Sequence, residues 1–281
     1  MDLGVTTLEM DAVITSDKKV ILSHETHYNP ETTTIDGGSF IDKKDQDKYI
    51  IYQMSYQETM RFDVGLRPYA AFPKQQRLRA IKPLLSDLID SVEAYVKTNK
   101  LKPVYYNIET KISPAGDGIY NPTPDVFVKA MMEVINKKAI SKRVTIQSFD
   151  VRTLQILHKT EPKLTLSLLA FGKSDALAKL KTQGLSAEDE KKLKQSPLFN
   201  GAGGLEEDLK KLGFVPNIYS PYYTTVDAEM VKKVHAKKML ILPWTVDEEK
   251  DMTALGQLGV DGIITNSPDK LVKIYGNYQS K

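Results

Sequence analysis

The sequence predicts an α/β fold built on parallel strands, and three observations lead to it. Short apolar segments of strand length alternate along the chain with segments whose apolar residues recur at helical spacing. At 281 residues the chain is long for one ordinary domain, yet it falls within the range that barrel domains occupy as a single unit, so one domain over residues 1–281 is expected. Polar side chains, among them Glu9, Asp11, Glu109 and Gln147, sit on strand segments toward their C-terminal ends, where parallel α/β folds assemble their sites.

The first strand carries Val5, Leu8, Met10 and Ala12 as one set of positions and Thr7, Glu9 and Asp11 as the other, and alternation along a strand sends Glu9 and Asp11 to one face. Glu9 and Asp11 therefore project side by side, roughly 6 to 7 Å apart along the strand. Val20-Ile21-Leu22 is a second short strand, and Ser16-Asp17-Lys18 supplies the turn of an antiparallel hairpin. A hairpin centred between Asp17 and Lys18 puts Asp11 opposite His24, with Cβ atoms about 5 Å apart. Lys18 is a poor fit to a tight type I′ turn, and a longer loop would move the register by one. Two acids and one imidazole in a cluster suit a bound cation plus a general acid or base. Alternation of acidic and apolar residues also describes any half-exposed strand, so the pattern alone does not fix a function.

Residues 26–82 contain poor element interiors and are expected to form a small insertion subdomain. Its rings, Tyr49, Tyr52, Tyr56, Phe62, Tyr69 and Phe72, are read first as its own core and second as a substrate lining. His27 reads as a surface or supporting residue. Pro83 opens a helix whose Leu84, Leu85, Leu88, Ile89, Val92, Tyr95 and Val96 recur at helical spacing. Residues 104–111 form a strand with Asn107, Glu109 and Lys111 on one face, which adds a third carboxylate. Thr123 and Pro124 are the cap and first residue of the next helix. Residues 143–149 form a strand, and Asp150 caps the helix through Leu154 and Leu157, which carries His158 as a structural or solvent-facing residue. Leu164–Ala170 is apolar enough to be buried on both sides.

Further along, Ser186 and Asp189 form a capping box ahead of a lysine-rich helix. The Gly201–Gly204 cluster lacks the Gly-Lys-Ser/Thr of a phosphate loop and reads as a plain loop. Residues 217–220 make a short strand, 225–236 a helix with His235 on its outer surface, and 238–245 a strand that includes Trp244. A helix around Met252 and Leu255, a last strand at Gly262–Asn266 and a helix from Pro268 close the chain. Seven segments can join one parallel sheet, those around Glu9, Glu109, Gln147, Leu168, Ile218, Leu242 and Ile264.

Composition removes several functional classes. Net charge is +3, from 39 Lys and Arg against 36 Asp and Glu, without the basic clustering of a nucleic-acid binder. No apolar run reaches the roughly 18 residues of a membrane span. Cysteine is absent, which eliminates disulfides, thiolate catalysis and thiolate metal ligands and leaves oxygen and imidazole donors.

The order Gly4 to Asp11, then Thr15-x-Asp17, then Val20-Ile-Leu-Ser-His24-Glu25 resembles the core motif of the glycerophosphodiester phosphodiesterases. The likeness continues through Asn107-Ile-Glu109-Thr-Lys111, Gln147-Ser148-Phe149, Trp244-Thr245-Val246 and Asp261 to Pro268, in the family's order over most of the chain. It implies a TIM-type (β/α)₈ barrel and metal-dependent hydrolysis of glycerophosphodiesters to glycerol 3-phosphate and an alcohol. It further implies Glu9, Asp11 and Glu109 as ligands of one divalent cation, Ca²⁺ or Mg²⁺, the hard ions suited to a carboxylate cage. His24 takes one acid or base role, Lys111 offsets phosphate charge, and Gln147 and Trp244 contact the small-molecule substrate. Glu25 and Asn266 depart from the family, which usually has Asp at both positions.

In the family a strand ending in His-Arg-Gly and a Glu-Asn-Thr motif precede the point where this chain starts, and one catalytic His is among them. The expectation is a missing first β/α unit, roughly 30 residues long, with any export signal lost alongside it, so both a periplasmic or exported and a cytoplasmic location stay open. Oligomeric state is not readable. Two other readings accompany this one: a related barrel phospholipase acting on lysophospholipid or phosphoinositide head groups, and an inactive barrel that binds metal or phosphodiester. A glycosidase built on two carboxylates fits less well, having no need of the His and Lys.

Overall fold

The computed structural model describes residues 1–36, 38–70, 72–171 and 204–276. The capping box at Ser186 and Asp189, and Gly201 to Gly203, lie outside the described residues. The chain divides into two compact units, one of residues 1–9, 104–108 and 142–281 and the other of residues 10–103 and 109–141.

The first unit is a sheet covered by helices. Its strands are β1 (Thr7–Ile14, here through Glu9), β6 (Tyr105–Thr110, here through Ile108), β7 (Val144–Ser148), β8 (Thr165–Ala170), β9 (Ile218–Pro221) and β10 (Leu240–Ile241), in the order β10-β9-β8-β7-β6-β1. β7, β8, β9 and β10 pair in parallel, with Gln147 beside Ser167, Leu168 beside Tyr219 and Ile218 beside Leu240. β8 is buried along almost its whole length, as its largely apolar sequence requires of a central strand, with Ser167 the one polar side chain in its buried part. Asp150 accepts from Arg152 N at 3.0 Å and caps the helix Val151–Thr160, so the short polar side chain at that position does what its type predicts. His158 stacks on Phe214, and His235 pairs with Asp261 at 2.9 Å on the surface.

Two expected strands are shorter than the sequence indicated. The 238–245 segment is a strand only over Leu240–Ile241, with one further bridge from Trp244 to Tyr222. Leu242 N and Trp244 N still bond Tyr219 O and Pro221 O, but Pro221 of β9 has no N–H to offer Leu242 O, which interrupts the ladder there. Residues 262–266 form no assigned strand. Ile264 N bonds Pro243 O at 3.0 Å and Val246 N bonds Ile264 O at 3.0 Å, but Thr265 Oγ1 and Asn266 N turn aside to the Asp247 carboxylate. Side-chain acceptors of this kind compete with ladder bonds. Among the described residues the parallel sheet therefore has six strands where seven were expected.

The second unit begins with residues 10–14 of β1, paired antiparallel with β2 (Val20–Leu22) in the register Ala12 to Leu22 and Ile14 to Val20. This corrects the expected hairpin by one residue. Lys18 has a φ of 61°, and Thr15 N bonds Lys19 O at 3.0 Å, so the turn centres on Asp17 and Ser23 lies opposite Asp11 in place of His24. Ser23 N donates to Asp11 O at 2.9 Å. The helix expected from Pro83 starts at Leu85, because Pro83 O accepts from Leu22 N at 3.0 Å and Leu84 bridges Ile21. Residues 83 and 84 thus extend the hairpin by a third line before helix Leu85–Thr98 begins. The helix Pro124–Lys137 starts at the expected Thr123-Pro124 pair, although the Thr123 side chain makes no capping bond.

Within residues 26–82, β3 (Thr34–Ile35) lies between β4 (Ser39–Phe40) and β5 (Phe62–Asp63). Phe62 stacks on Tyr28 at 4.0 Å and both are buried with Ile41 and Ile51 against Val13 and Ile21 of the hairpin. Tyr49 and Tyr56 pack on this cluster, whereas Phe72 is exposed. The segment shares its core with the first two strands.

In the first unit, Tyr219 Oη donates to Asp208 Oδ2 at 2.8 Å, and burial raises the Asp208 carboxyl to about 6. An acid raised above its unfolded value favours folding while protonated, so stability falls as pH climbs from about 4 to 6, by a total on the order of 3 kcal/mol. Asp208→Asn is expected to abolish that decline. Urea unfolding of both proteins between about pH 4 and 7 measures it.

Candidate active site

β1 and β6 run parallel. Tyr105 N bonds Thr6 O at 2.9 Å and Lys111 N bonds Ala12 O at 3.1 Å, a constant offset that sets Glu109 level with Asp11. Two carboxylates side by side repel, and the sequence places Lys111 two residues after Glu109, on the same face. Its ammonium lies 3.4 Å from Asp11 Oδ1 and 3.2 Å from Glu109 Oε1. Burial pulls the Lys111 pKa down, but Glu109 and Asp11 outweigh it and the net shift is upward. Lys111 is held as a cation.

Glu9 precedes Asp11 by two residues on the same strand and is oriented from β7. Gln147 Nε2 donates to Glu9 Oε1 at 2.7 Å, and Gln147 Oε1 accepts from Asn107 Nδ2 at 2.9 Å. Both amides are buried. Glu9 in the first unit and Asp11 and Glu109 in the second each offer a carboxylate. Their chemistry fits a hard cation: all donors are carboxylate oxygens, and Asp11 and Glu109 already converge on one positive charge.

His24 sits just past the end of β2 with its side chain 73% exposed, and Nδ1 lies 3.6 Å from Glu25 Oε1. The Glu25 carboxylate raises the imidazole pKa, burial opposes, and Lys111 and Asp11 are near enough to act on it with opposite signs. In return His24, assisted by the Asn29 amide, holds Glu25 down to about 2. The one-residue change of register moved His24 out of the ladder without removing it from the electrostatic reach of Asp11. His27 has its pKa lowered by burial and bridges Ile50 through its backbone.

Trp244 stands in a cluster of rings. Its centroid is 5.3 Å from Phe149, 5.1 Å from Phe171 and 5.3 Å from Tyr222, and Nε1 donates to Ser220 O at 2.8 Å. Phe149, Phe171 and Tyr222 are each the residue directly after the last residue of β7, β8 and β9. They form an aromatic wall at the C-terminal ends of those strands. Phe171 and Tyr222 are not marked as site residues by the sequence pattern, nor are Asn107 in its supporting role and Lys82, buried beside Ser23. Position immediately after a strand is the signal that would have found the rings. Nothing local marks Lys82, which is reached only through the pairing of Pro83 and Leu84 with β2.

Comparison with known proteins identifies the family and the fold. The profile of the "Glycerophosphoryl diester phosphodiesterase family" matches residues 1–270. A glycerophosphodiester phosphodiesterase of Bacillus altitudinis is 27% identical over 271 residues, covering 96% of this chain and 86% of that protein. A Silicibacter pomeroyi structure, provisionally assigned as a glycerophosphoryl diester phosphodiesterase, superposes with a TM-score of 0.76 at 24% identity, covering 97% of this chain and 84% of that one. An Oleispira antarctica phosphodiesterase in complex with the product sn-glycerol-3-phosphate superposes with a TM-score of 0.66 at 16% identity, over 98% of this chain and 86% of that one. The likenesses give the fold as an α/β barrel, with the parallel strands and covering helices described above.

Gln147→Leu is expected to destabilise the protein by about 2 to 3 kcal/mol. It removes a bond to a carboxylate and leaves the buried Asn107 amide without its acceptor. Denaturant midpoints of the two proteins measure the loss, and a difference under about 0.5 kcal/mol would mean that solvent replaces the amide relay.

Proposed function

Because the chain belongs to the glycerophosphoryl diester phosphodiesterase family, we propose a division of labour among its site residues. The reaction is hydrolysis of glycerophosphodiesters to glycerol 3-phosphate and an alcohol. Glu9, Asp11 and Glu109 hold one divalent cation, Ca²⁺ or Mg²⁺. The observation that carries this reading is the convergence of Asp11 and Glu109 on Lys111, a pair of carboxylates that already needs a positive charge. When bound, the cation supplies Lewis-acid polarisation of a phosphate oxygen.

The remaining steps belong to side chains of this protein. Lys111 keeps its proton and adds fixed positive charge to balance the phosphodiester. His24, whose protonated form Glu25 favours, delivers a proton to the departing alcohol oxygen as its bond to phosphorus breaks. Water forms the new bond to phosphorus as the bond to the alcohol breaks, and the proton it loses passes to solvent, from which His24 is reprotonated. Gln147 orients Glu9, since both ends of its amide are engaged by Glu9 and Asn107. Trp244 and the rings around it wall the organic part of the substrate. Residues 26–82 act as an insertion within the barrel domain.

Glycerol 3-phosphate release from glycerophosphocholine, with and without EDTA, tests the reading. EDTA is expected to abolish the activity and Ca²⁺ or Mg²⁺ to restore it. Glu9→Gln, Asp11→Asn and Glu109→Gln should each weaken cation binding in calorimetric titration. His24→Ala should keep that affinity and lower turnover by at least about 10²-fold. Metal affinity lost in His24→Ala would make His24 a ligand.

The acid role also fixes a pH dependence. Activity requires imidazolium, so it is lost as pH rises through the His24 pKa, which Glu25 places above the usual 6.5. Glu25→Gln removes the main cause of that elevation, and the alkaline limb of the kcat profile is expected to move to lower pH. An unmoved limb would assign it to another group.

A further inference from the structure

Lys82 takes no part in the chemical steps assigned to His24, Lys111 and the carboxylates, yet it is buried, with 9% of its surface exposed. Its ammonium donates to Ser23 Oγ and lies 4.9 Å from the Tyr28 ring centroid. An ammonium taken out of water costs several kcal/mol unless hydrogen bonds and neighbouring charge compensate. Burial lowers the Lys82 pKa to about 8, with Glu25 and Asp11 acting against the fall.

The contact with Ser23 has a direction. A serine hydroxyl has a single proton, and that of Ser23 is donated to the Glu25 backbone carbonyl at 2.5 Å. Its lone pairs are therefore free to accept from Lys82, which has donors only. Ser23 is fixed from three sides, by N–H to Asp11 O, by Oγ to Glu25 O and by Lys82 on Oγ. Glu25 is fixed in turn by Asn29. His24 lies between these two anchored residues, and its own side chain is mostly exposed.

We propose that Lys82 is a positioning residue for His24, acting through the Ser23 hydroxyl to hold the turn at residues 23–25 from which the imidazole is presented. This rests on the reading of His24 as the proton donor. The backbone supports the same task, since pairing of Pro83 and Leu84 with β2 delivers Lys82 beside Ser23. Misplacement of a proton donor by about 1 Å can cost about 10²-fold in rate, so a brace on a solvent-exposed acid has a kinetic consequence.

A double-mutant cycle on the metal-loaded full chain tests it. Ser23→Ala and Lys82→Met are each expected to lower kcat by about 10- to 100-fold. KM should stay within about twofold, since substrate contacts are untouched. The double variant should be no slower than the worse single, because both remove one linkage. Ser23→Thr, which keeps the hydroxyl, should recover most of the rate. Additive losses, a rise in KM at constant kcat, or unchanged rates overturn the proposal. If Lys82→Met does not fold, Ser23→Ala decides alone, since it removes one oxygen and no charge; an unchanged kcat refutes the brace. Wild-type turnover that ignores His24→Ala fails the reading of the site, whereas turnover that needs His24 and ignores Ser23 and Lys82 fails only the positioning role.

Discussion

Parallel pairing of β1 with β6 sets two carboxylates, Asp11 and Glu109, at the same level, and like charges so placed need a cation between them. Lys111 meets that need from just beyond the strand that carries Glu109, at 3.2 Å from Glu109 and 3.4 Å from Asp11. The constraint reaches into the backbone. A shift of one residue in either strand would turn one carboxylate to the opposite face and leave Lys111 with a single partner. The hydrogen bonds from Tyr105 to Thr6 and from Lys111 to Ala12, at the two ends of the pairing, hold that register.

The rest of the site follows from where strands end. Phe149, Phe171 and Tyr222 each follow directly on a strand of the parallel sheet, and all three meet Trp244 in one cluster of rings. Parallel strands deliver their C-termini to one edge, so residues that follow them assemble without long-range design in the loops. Ser167 and Ser220, paired at 2.9 Å between β8 and β9, and the Asn107 to Gln147 amide bond make the interior of this sheet polar. Buried polar side chains persist only when matched, and here most are matched to one another.

Period-two alternation was enough to place Glu9 and Asp11 on one face and Glu109 with Lys111 on another strand, because alternation is a property of any strand. Asp150 as a helix cap and the Thr123-Pro124 helix start were legible for the same local reason. The hairpin register was not, since it turned on whether Lys18 would take a left-handed conformation, at φ 61°, and a lysine gives little sign of that. Pro83 reads as a helix start in isolation, but a tertiary bond from Leu22 keeps it extended. The expected strand at 262–266 failed because the Asp247 carboxylate, distant in sequence, captures Thr265 and Asn266. Lys82 was invisible because its placement arises only from a contact 59 residues away in the chain.

The one-residue change of register has a functional consequence beyond which face each side chain occupies. Had His24 stood opposite Asp11, the ladder itself would have held the imidazole in place. With Ser23 there instead, His24 falls in the turn beyond β2, exposed to solvent, and the ladder fixes only its neighbour. An exposed imidazole on an unbraced turn loses rotational and positional entropy when it must meet a leaving group, which slows proton transfer. The Ser23 hydroxyl, the Glu25 carboxylate and the Lys82 ammonium are what remain to limit that freedom, and each does so from a different side. In the proposed role of His24 as proton donor, exposure keeps the ring open to an incoming phosphodiester while the backbone that carries it is tied to β1, to Asn29 and to the segment alongside β2.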